Sequence, residues 1–215
     1  MPEVYRGEEM NNPWNDISLS DYENHMRLDS VAQLQKLNSV MCSQFGHFPA
    51  ESVMILGIAG GNGLEHIDPV KYKKVFGVDI NSSYLDETAK RYPFPDGVLE
   101  LICADLTAET DKLPHADLII ADLIIEYLGY DCFEKVITQV EPKFISCVTQ
   151  VDTGNDFVSV SPYLHSFDGL DSIHRQIDKD ELAVRLGILG YSAEQIIEYP
   201  LPNGKTLVRT DFTIE

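Results

Sequence analysis

Short apolar runs alternate with longer, more polar segments along most of this chain. Five of these runs have the length and the β-branched content of strands buried in a parallel sheet. They occupy residues 53–58, 75–78, 98–103, 118–121 and 143–148. The segments between them carry helix signals, so the pattern predicts an α/β fold in which helices cover both faces of a parallel sheet.

The last part of the chain predicts a change of strand direction. Two strand-like runs, residues 193–199 and 206–214, flank the segment PLPNGK. Within it, Asn203-Gly204 is a pair that favours a hairpin turn. The hairpin would bring the sheet to seven strands, mostly parallel, with an antiparallel pair at the C-terminus.

The first 19 residues lack hydrophobic periodicity and are predicted to form an irregular arm. Ser20 and Glu23 then have the spacing of a capping box, which predicts the start of a helix. Asp29 and Ser30 offer a second cap, so we expect a break there and a further helix after it.

A cluster of glycines follows the first apolar run directly. Glycine allows positive φ angles and lets a ligand approach the backbone closely. The second apolar run ends in Asp79. The order is therefore a strand, a glycine turn, a crossover, a second strand and an acid at its end, which is the layout of nucleotide-type sites. A dinucleotide motif Gly-x-Gly-x-x-Gly fits poorly, because Ala59 and Asn62 stand at its later glycine positions.

With the spacing Gly-x-Gly-x-Gly, residues Gly57, Ala59 and Gly61 resemble motif I of class I methyltransferases that use S-adenosylmethionine (SAM). Asp79, the Ala104-Asp105-Leu106 segment and the closing hairpin are similar to that family as well. The resemblance covers roughly residues 20–215 and implies one Rossmann-like domain. The chain departs from the family at Ile55, where an acid often stands near the amino group of the cofactor.

The resemblance implies a SAM site at the carboxyl edge of the sheet. The glycine turn would lie under the amino-acid part of SAM, and a helix beginning near Asn62 would point N–H groups at its carboxylate. Asp79 would accept hydrogen bonds from both ribose hydroxyls, Ile80 would contact adenine, and Asp105 would accept from the adenine amino group. The implied cofactor-binding residues are Gly57, Ala59, Gly60, Gly61, Asn62, Asp79, Ile80, Asp105, Leu106 and Tyr22.

Two segments could cover such a site. Tyr22, His25 and Met26 share a helix face, which fits either an ordinary packing helix or part of a helical lid over residues 20–46. Residues 150–177 form a long loop with many aromatic residues, which is either a substrate-binding loop or a covering segment. If the methyl acceptor must lose a proton, the candidate bases on chemistry alone are Asp122, His25 and His165.

Composition narrows the class of substrate. The chain has 215 residues and a net charge of −19, from 35 acidic and 16 basic residues. Such a surface repels phosphate backbones, so a small-molecule acceptor with an oxygen or nitrogen nucleophile is favoured over nucleic acid. The sequence after Asp122 also lacks the Asp/Asn-Pro-Pro-Tyr pattern of amino-directed nucleic-acid methyltransferases.

The remaining features predict no metal, no disulfide and no membrane. Four cysteines are widely spaced, without the paired spacing of a zinc site. No apolar run approaches the roughly 20 residues that cross a bilayer, and the N-terminal residues do not resemble a secretory signal, so we expect a cytoplasmic protein. Two alternative functions stay open: a SAM-binding protein without catalysis, and an NAD-dependent oxidoreductase.

Overall fold

The computed structural model describes residues 12–152, 154 and 156–214. The predicted arm lies largely outside these residues, and its described end contains a 3₁₀ turn at Pro13–Asn15. The helices are α1 Leu19–Arg27, α2 Gln33–His47, α3 Ser82–Arg91, α4 Ile125–Leu128, α5 Tyr130–Val140 and α6 Lys179–Ile188. The strands are β1 Ser52–Leu56, β2 Lys74–Asp79, β3 Leu99–Cys103, β4 Leu118–Asp122, β5 Phe144–Val151, β6 Tyr191–Pro200 and β7 Thr206–Ile214.

The described strands form one seven-stranded sheet in the order β3-β2-β1-β4-β5-β7-β6. Strands β1 to β5 are parallel. Strand β7 lies between β5 and β6 and is antiparallel to both. This topology confirms the predicted fold, a mostly parallel Rossmann-like sheet that ends in an antiparallel hairpin.

Both faces of the sheet are covered by helices. Val53 and Ile55 of β1 pack in one apolar cluster with side chains of α2. Met54 and Leu56 point the other way and pack in a second cluster with side chains of α5. A strand buried on both faces is continuously apolar rather than alternating, which is why these runs were recognisable in the sequence.

The parallel register shows which residues lie together at the carboxyl edge of the sheet. Leu56 of β1 pairs with Val78 of β2 and with Ala121 of β4, so these three strands end level with one another. The residues that follow at this edge are Gly57, Asp79 and Asp122.

The predicted N-terminal caps are wrong in detail. Helix α1 begins at Leu19, and its cap is Ser18, whose hydroxyl oxygen accepts from the Asp21 backbone N–H at 3.1 Å. With Ser18 as the cap, the third helical residue is Asp21, so Glu23 is not in position for a capping box, and its carboxylate pairs with Arg91 of α3. The break between the two helices is confirmed, but α2 follows Ala32, which has a left-handed backbone (φ 54°) and makes no side-chain cap.

The C-terminal hairpin turns through a loop longer than the tight turn that Asn-Gly favours. Strand β6 ends at Pro200 and β7 begins at Thr206. Gly204 takes a left-handed conformation (φ 83°), and the Asn203 side-chain oxygen accepts from the Lys205 backbone N–H at 3.0 Å. The pair therefore turns the chain as predicted, inside a loop over residues 201–205.

A buried ion pair holds β7 against the rest of the sheet. Arg209 and Asp211 are both 0% exposed, and two hydrogen bonds of 2.8 and 2.7 Å join the guanidinium to the carboxylate. Arg209 also donates to the Ser43 hydroxyl of α2, and Ser146 of β5 donates to Asp211. The charges are thus fully hydrogen-bonded, which is the condition under which a buried pair is tolerated.

We expect Arg209→Met to lower the free energy of unfolding by about 3–5 kcal/mol, because it leaves the Asp211 carboxylate buried without its cation. Urea denaturation followed by circular dichroism would measure this loss. The matched control is Arg27→Met, which removes a guanidinium that is 58% exposed and 4.0 Å from Glu23. It should cost less than about 1 kcal/mol. Equal losses in the two variants would contradict the role given to the buried pair.

Candidate active site

A cleft opens at the carboxyl edge of the sheet, above β1, β2, β3 and β4. The loops after these strands form its floor, and the N-terminal segment with α1 forms its roof. Eight of the residues expected at the site line this cleft: Gly57, Ala59, Asp79, Ile80, Asp105, Leu106, Asp122 and Tyr22.

The glycine turn has a left-handed backbone at every second residue. Gly57, Ala59, Gly61 and Gly63 have φ angles of 64°, 48°, 80° and 95°. Ala59 is the exception to glycine in this series, and a non-glycine residue in this region carries strain of about 1–3 kcal/mol. At Gly57 the positive φ disfavours any other residue, and a Cβ would also lie 2.7 Å from the tip of the Ile124 side chain, which would have to shift. The alternate spacing of small residues therefore follows from the shape of the turn.

Asp79 connects this turn to the end of β2. Its Oδ2 accepts from the Ala59 backbone N–H and its Oδ1 from the Asn81 backbone N–H, both at 2.9 Å. The carboxyl is almost fully buried, which raises its pKa, while these backbone hydrogen bonds act in the opposite direction. Each carboxylate oxygen can accept a second hydrogen bond, so the side chain retains acceptor capacity toward the cleft that it lines.

Asp105 and its neighbours close the cleft beside β3. Asp105 Oδ1 accepts from the Thr107 backbone N–H at 2.9 Å and from the Thr107 hydroxyl at 2.7 Å. The carboxyl group thus caps a local turn through one oxygen, and Oδ2 is not used by that turn. Ile80 and Leu106 supply apolar surface on either side.

The helix expected near Asn62 is absent from the structure. Only a 3₁₀ turn at Leu64–His66 forms, because Gly63 is left-handed and Pro69 has no N–H to continue a helix. Asn62 turns toward α2, where its side-chain amide donates to the Leu34 carbonyl at 3.0 Å. Gly61 packs against α3, since a Cβ there would lie 2.7 Å from the Tyr92 ring.

A smaller space lies directly under α1, next to the cleft. Gly57, Ala59, Gly60, Asn62 and Asp122 line this space, together with Tyr22 and Glu23. Arg91 closes it by pairing with Glu23 and donating to the Gly60 carbonyl at 3.3 Å. Helix α1 therefore sits over the glycine turn, as a lid would.

A second cavity adjoins the cleft on the other side of Tyr22. Trp14, Tyr22, Leu123 and Tyr127 line both spaces and form the wall between them. The long loop after β5 contributes aromatic side chains to the far wall of this cavity. These side chains are Phe157, Phe167 and His174.

The three candidate bases lie in three different places. Asp122 faces the cleft, and burial raises its pKa to about 7, partly offset by the hydrogen bond of 2.8 Å from Gln44 to its Oδ1. His25 lines the second cavity, and its Nδ1 lies 2.8 Å from the Ser161 hydroxyl. Burial lowers the pKa of His25. His165 is 91% exposed, pairs with Asp168 and lines neither space, so we do not place it in the site.

Glu126 was missed by the sequence analysis. It is 3% exposed, lines the second cavity and accepts from the Gln150 backbone N–H at 2.8 Å through Oε1. Its Oε2 and the Oδ2 of Asp122 are buried without a hydrogen-bond partner. Burial raises the pKa of Glu126 to about 7. The signal in the sequence was an acidic residue inside the apolar run LIIEYL. Burying a charge costs free energy, so an acid in such a run is a candidate for a functional residue.

Two further findings concern metals and membranes. Among the described residues, no three His, Cys, Asp or Glu side chains are grouped in a way that could hold a metal ion. No helix in the described ranges combines the length and the apolar character that crossing a bilayer requires.

Comparisons with solved structures identify the fold. The N-methyltransferase NodS from Bradyrhizobium japonicum WM9, in complex with S-adenosylhomocysteine (SAH), has a TM-score of 0.64 and 11% identity, over 91% of this chain and 97% of that one. Magnesium protoporphyrin IX methyltransferase from Synechocystis PCC 6803 with bound SAM has a TM-score of 0.61 and 11% identity, over 95% of this chain and 88% of that one. The methyltransferase domain of bacterial CtHen1 has a TM-score of 0.59 and 17% identity, over 92% of this chain and 99% of that one.

These similarities show that the chain has the class I fold of SAM-dependent methyltransferases. The sequence matches no family model and no curated protein sequence. Because the identities are low, the similarity establishes the fold, and the activity has to be argued from the residues of the cleft.

We expect Asp122→Asn to raise the free energy of unfolding above neutral pH by about 1–3 kcal/mol, because it removes a buried carboxylate that has one unpartnered oxygen. The folded-state pKa of Asp122 is above its unfolded value, so its ionisation destabilises the protein as the pH rises through that range. The gain in the free energy of unfolding should therefore become smaller as the pH is lowered from about 8 to about 5. Urea denaturation at both pH values measures it, and a gain independent of pH would contradict the assignment.

Proposed function

We propose that this protein is a methyltransferase that binds SAM in the cleft and transfers its methyl group to an oxygen or nitrogen of a small molecule in the second cavity. The observation that carries the proposal is the buried Asp79, which holds the left-handed turn after β1 and keeps acceptor capacity toward the cleft. This arrangement occurs in a chain with the fold of SAM-dependent methyltransferases.

The residues of the cleft fit the adenosine part of SAM. Asp79 would accept hydrogen bonds from the vicinal ribose hydroxyls, because a carboxylate presents two acceptor oxygens at matching separation. Ile80 and Leu106 would flank the adenine ring, and the Asp105 oxygen outside the Thr107 turn would accept from the adenine amino group. The left-handed turn lets the backbone approach the ligand without side-chain obstruction.

Asp122 fits the positively charged end of SAM. The acid that often stands two residues before the first glycine is here Ile55, which is 4% exposed and apolar. Asp122 stands across the sheet edge from Gly57 and lines both the cleft and the space under α1. Its unpartnered Oδ2 would gain a hydrogen bond or a charge partner from the amino group, which offsets the cost of burying it.

Bound SAM would supply a methyl group that its sulfonium makes electrophilic. The chain would align the acceptor in line with the bond that breaks and keep water out. Trp14, Tyr22 and Tyr127 suit this task because they border both spaces. A polymer with a phosphate backbone is disfavoured as acceptor by the net charge of −19.

Calorimetry separates this proposal from its alternatives. We expect the protein to bind SAM and SAH but not NAD⁺ or NADH. Binding of NADH without SAM would support the oxidoreductase. SAM binding with no methyl transfer to any acceptor would support a binding protein without catalysis.

We expect Asp79→Ala to weaken SAM binding by roughly 1.5–3 kcal/mol, the scale of a hydrogen-bonding partner that carries charge. Isothermal titration calorimetry gives the affinity, and circular dichroism confirms that the variant is folded. The matched control, Asp86→Ala, removes an exposed carboxylate from α3 and should leave SAM affinity unchanged. Wild-type affinity in Asp79→Ala would refute the ribose role.

The position of α1 over the glycine turn gives a second prediction. If α1 is a mobile lid, the backbone amides of residues 19–27 should exchange hydrogen faster in the free protein than in its SAH complex. Hydrogen exchange read by mass spectrometry tests this, with α6, on another part of the sheet, as the internal reference. Protection of α1 that does not change with SAH would identify it as an ordinary packing helix.

A further inference from the structure

The second cavity is lined largely by aromatic rings. Seven rings line it, and they belong to Trp14, Tyr22, His25, Tyr127, Phe157, Phe167 and His174. Phe157 and His174 stack face to face, with centroids 3.8 Å apart and planes 9° from parallel. Trp14 meets Tyr127 edge to face, with centroids 5.0 Å apart. Aromatic faces and edges at such angles favour an aromatic guest over a saturated one.

Two polar atoms of residues that line this cavity are buried without a partner among the described residues: the Trp14 Nε1–H, which is a donor, and Glu126 Oε2, which can accept. Glu126 Oε1 is held by the Gln150 backbone N–H, and the Glu126 backbone carbonyl accepts from Arg175 N–H at 2.8 Å. The side chain is therefore fixed, while its Oε2 is buried without a hydrogen bond among the described atoms. A buried carboxylate oxygen without a donor is costly, and a ligand that donates an N–H or O–H would remove that cost.

Several other polar side chains of the cavity are already hydrogen-bonded. Gln33 donates to the Gln150 side chain, whose amide in turn donates to Asp152 at 2.7 Å. His25 is hydrogen-bonded to Ser161. Glu126 Oε2 is thus the buried acceptor of this cavity that a donor of a ligand could meet.

We infer, on the basis of the proposed function, that the methyl acceptor is a small aromatic molecule whose hydroxyl or amine donates to Glu126 Oε2, and that Glu126 takes up the proton released by methyl transfer. A phenol and an arylamine share this chemistry, because each has a flat ring that carries an O–H or N–H donor. Neither Asp122 nor His25 is the base in this assignment.

The step balances as follows. The lone pair of the acceptor oxygen or nitrogen forms the bond to the methyl carbon. The bond between that carbon and sulfur breaks, and its electron pair stays on sulfur, which becomes a neutral thioether. The proton of the acceptor moves to Glu126 and leaves to solvent after the products depart. A base with a pKa near the working pH suits this transfer, and burial, with Asp152 and Asp122 acting in the same direction, raises the pKa of Glu126 to about 7.

The first experiment measures binding to the SAH complex of the wild-type protein by ligand-observed NMR. The probes are 4-methylphenol and 4-methylaniline, each paired with 4-methylcyclohexanol, a saturated ring that is uncharged at neutral pH as both aromatic probes are. We expect the aromatic member of each pair to bind more tightly by about tenfold, on the scale of aromatic contacts. Whether the phenol or the aniline binds better identifies the donor. Equal binding within both pairs, or no binding by either aromatic probe, would overturn the assignment.

The second experiment tests Glu126 with a variant that keeps its shape. Glu126→Gln should lower methyl transfer to the bound aromatic probe by about 10²-fold or more, the scale of a positioned base. Its affinity for SAM should stay at the wild-type value. The matched control, Glu198→Gln, changes an exposed side chain on β6 and should leave the rate unchanged. A rate for Glu126→Gln close to that of the wild type would refute the role of Glu126.

The two proposals fail in different ways. A wild-type protein that does not bind SAM would refute the methyltransferase function itself. SAM binding with no preference for aromatic probes would leave that function standing and refute only the acceptor class.

Discussion

The candidate active site depends on one buried carboxylate, that of Asp79. It accepts from the backbone of the turn after β1 and from the backbone just after β2, so it fixes two neighbouring loops relative to each other. The turn needs this support because Ala59 holds a left-handed conformation that favours glycine. Without it, the strained turn would relax, and the floor of the cleft would lose its shape. A residue expected to touch a ligand is thus also the residue that builds the site.

The sequence predicted what local patterns determine. Continuous apolar runs marked the buried strands, and Asn203-Gly204 marked the hairpin. The sequence did not predict features that arise between distant parts of the chain. Glu23, for example, pairs with Arg91, 68 residues away, and not with the start of its own helix. The second cavity was invisible for the same reason, since Trp14, Glu126 and His174 come together only in the folded protein.

Unsatisfied polar groups are concentrated where the site lies. Five buried side-chain atoms of the described residues have no partner, and four of them belong to residues in the cavities or in direct contact with them: Trp14 Nε1, Asp122 Oδ2, Glu126 Oε2 and Gln44 Oε1. The fifth, Thr213 Oγ1, lies on β7 and lines neither cavity. The ion pair of Arg209 and Asp211 shows that this sheet can fully satisfy buried charges elsewhere. The contrast indicates that the fold gives up stability at the carboxyl edge, where ligands could supply the missing partners.

Tyr22 borders the cleft, the space under α1 and the second cavity. One side chain of α1 therefore belongs to the wall shared by compartments that two ligands would fill. If α1 is the lid predicted above, both ligands would be exchanged by displacing the same helix. Entry and departure would then be linked events governed by one opening rate, and a step of ligand release could limit turnover even when the chemical transfer is fast.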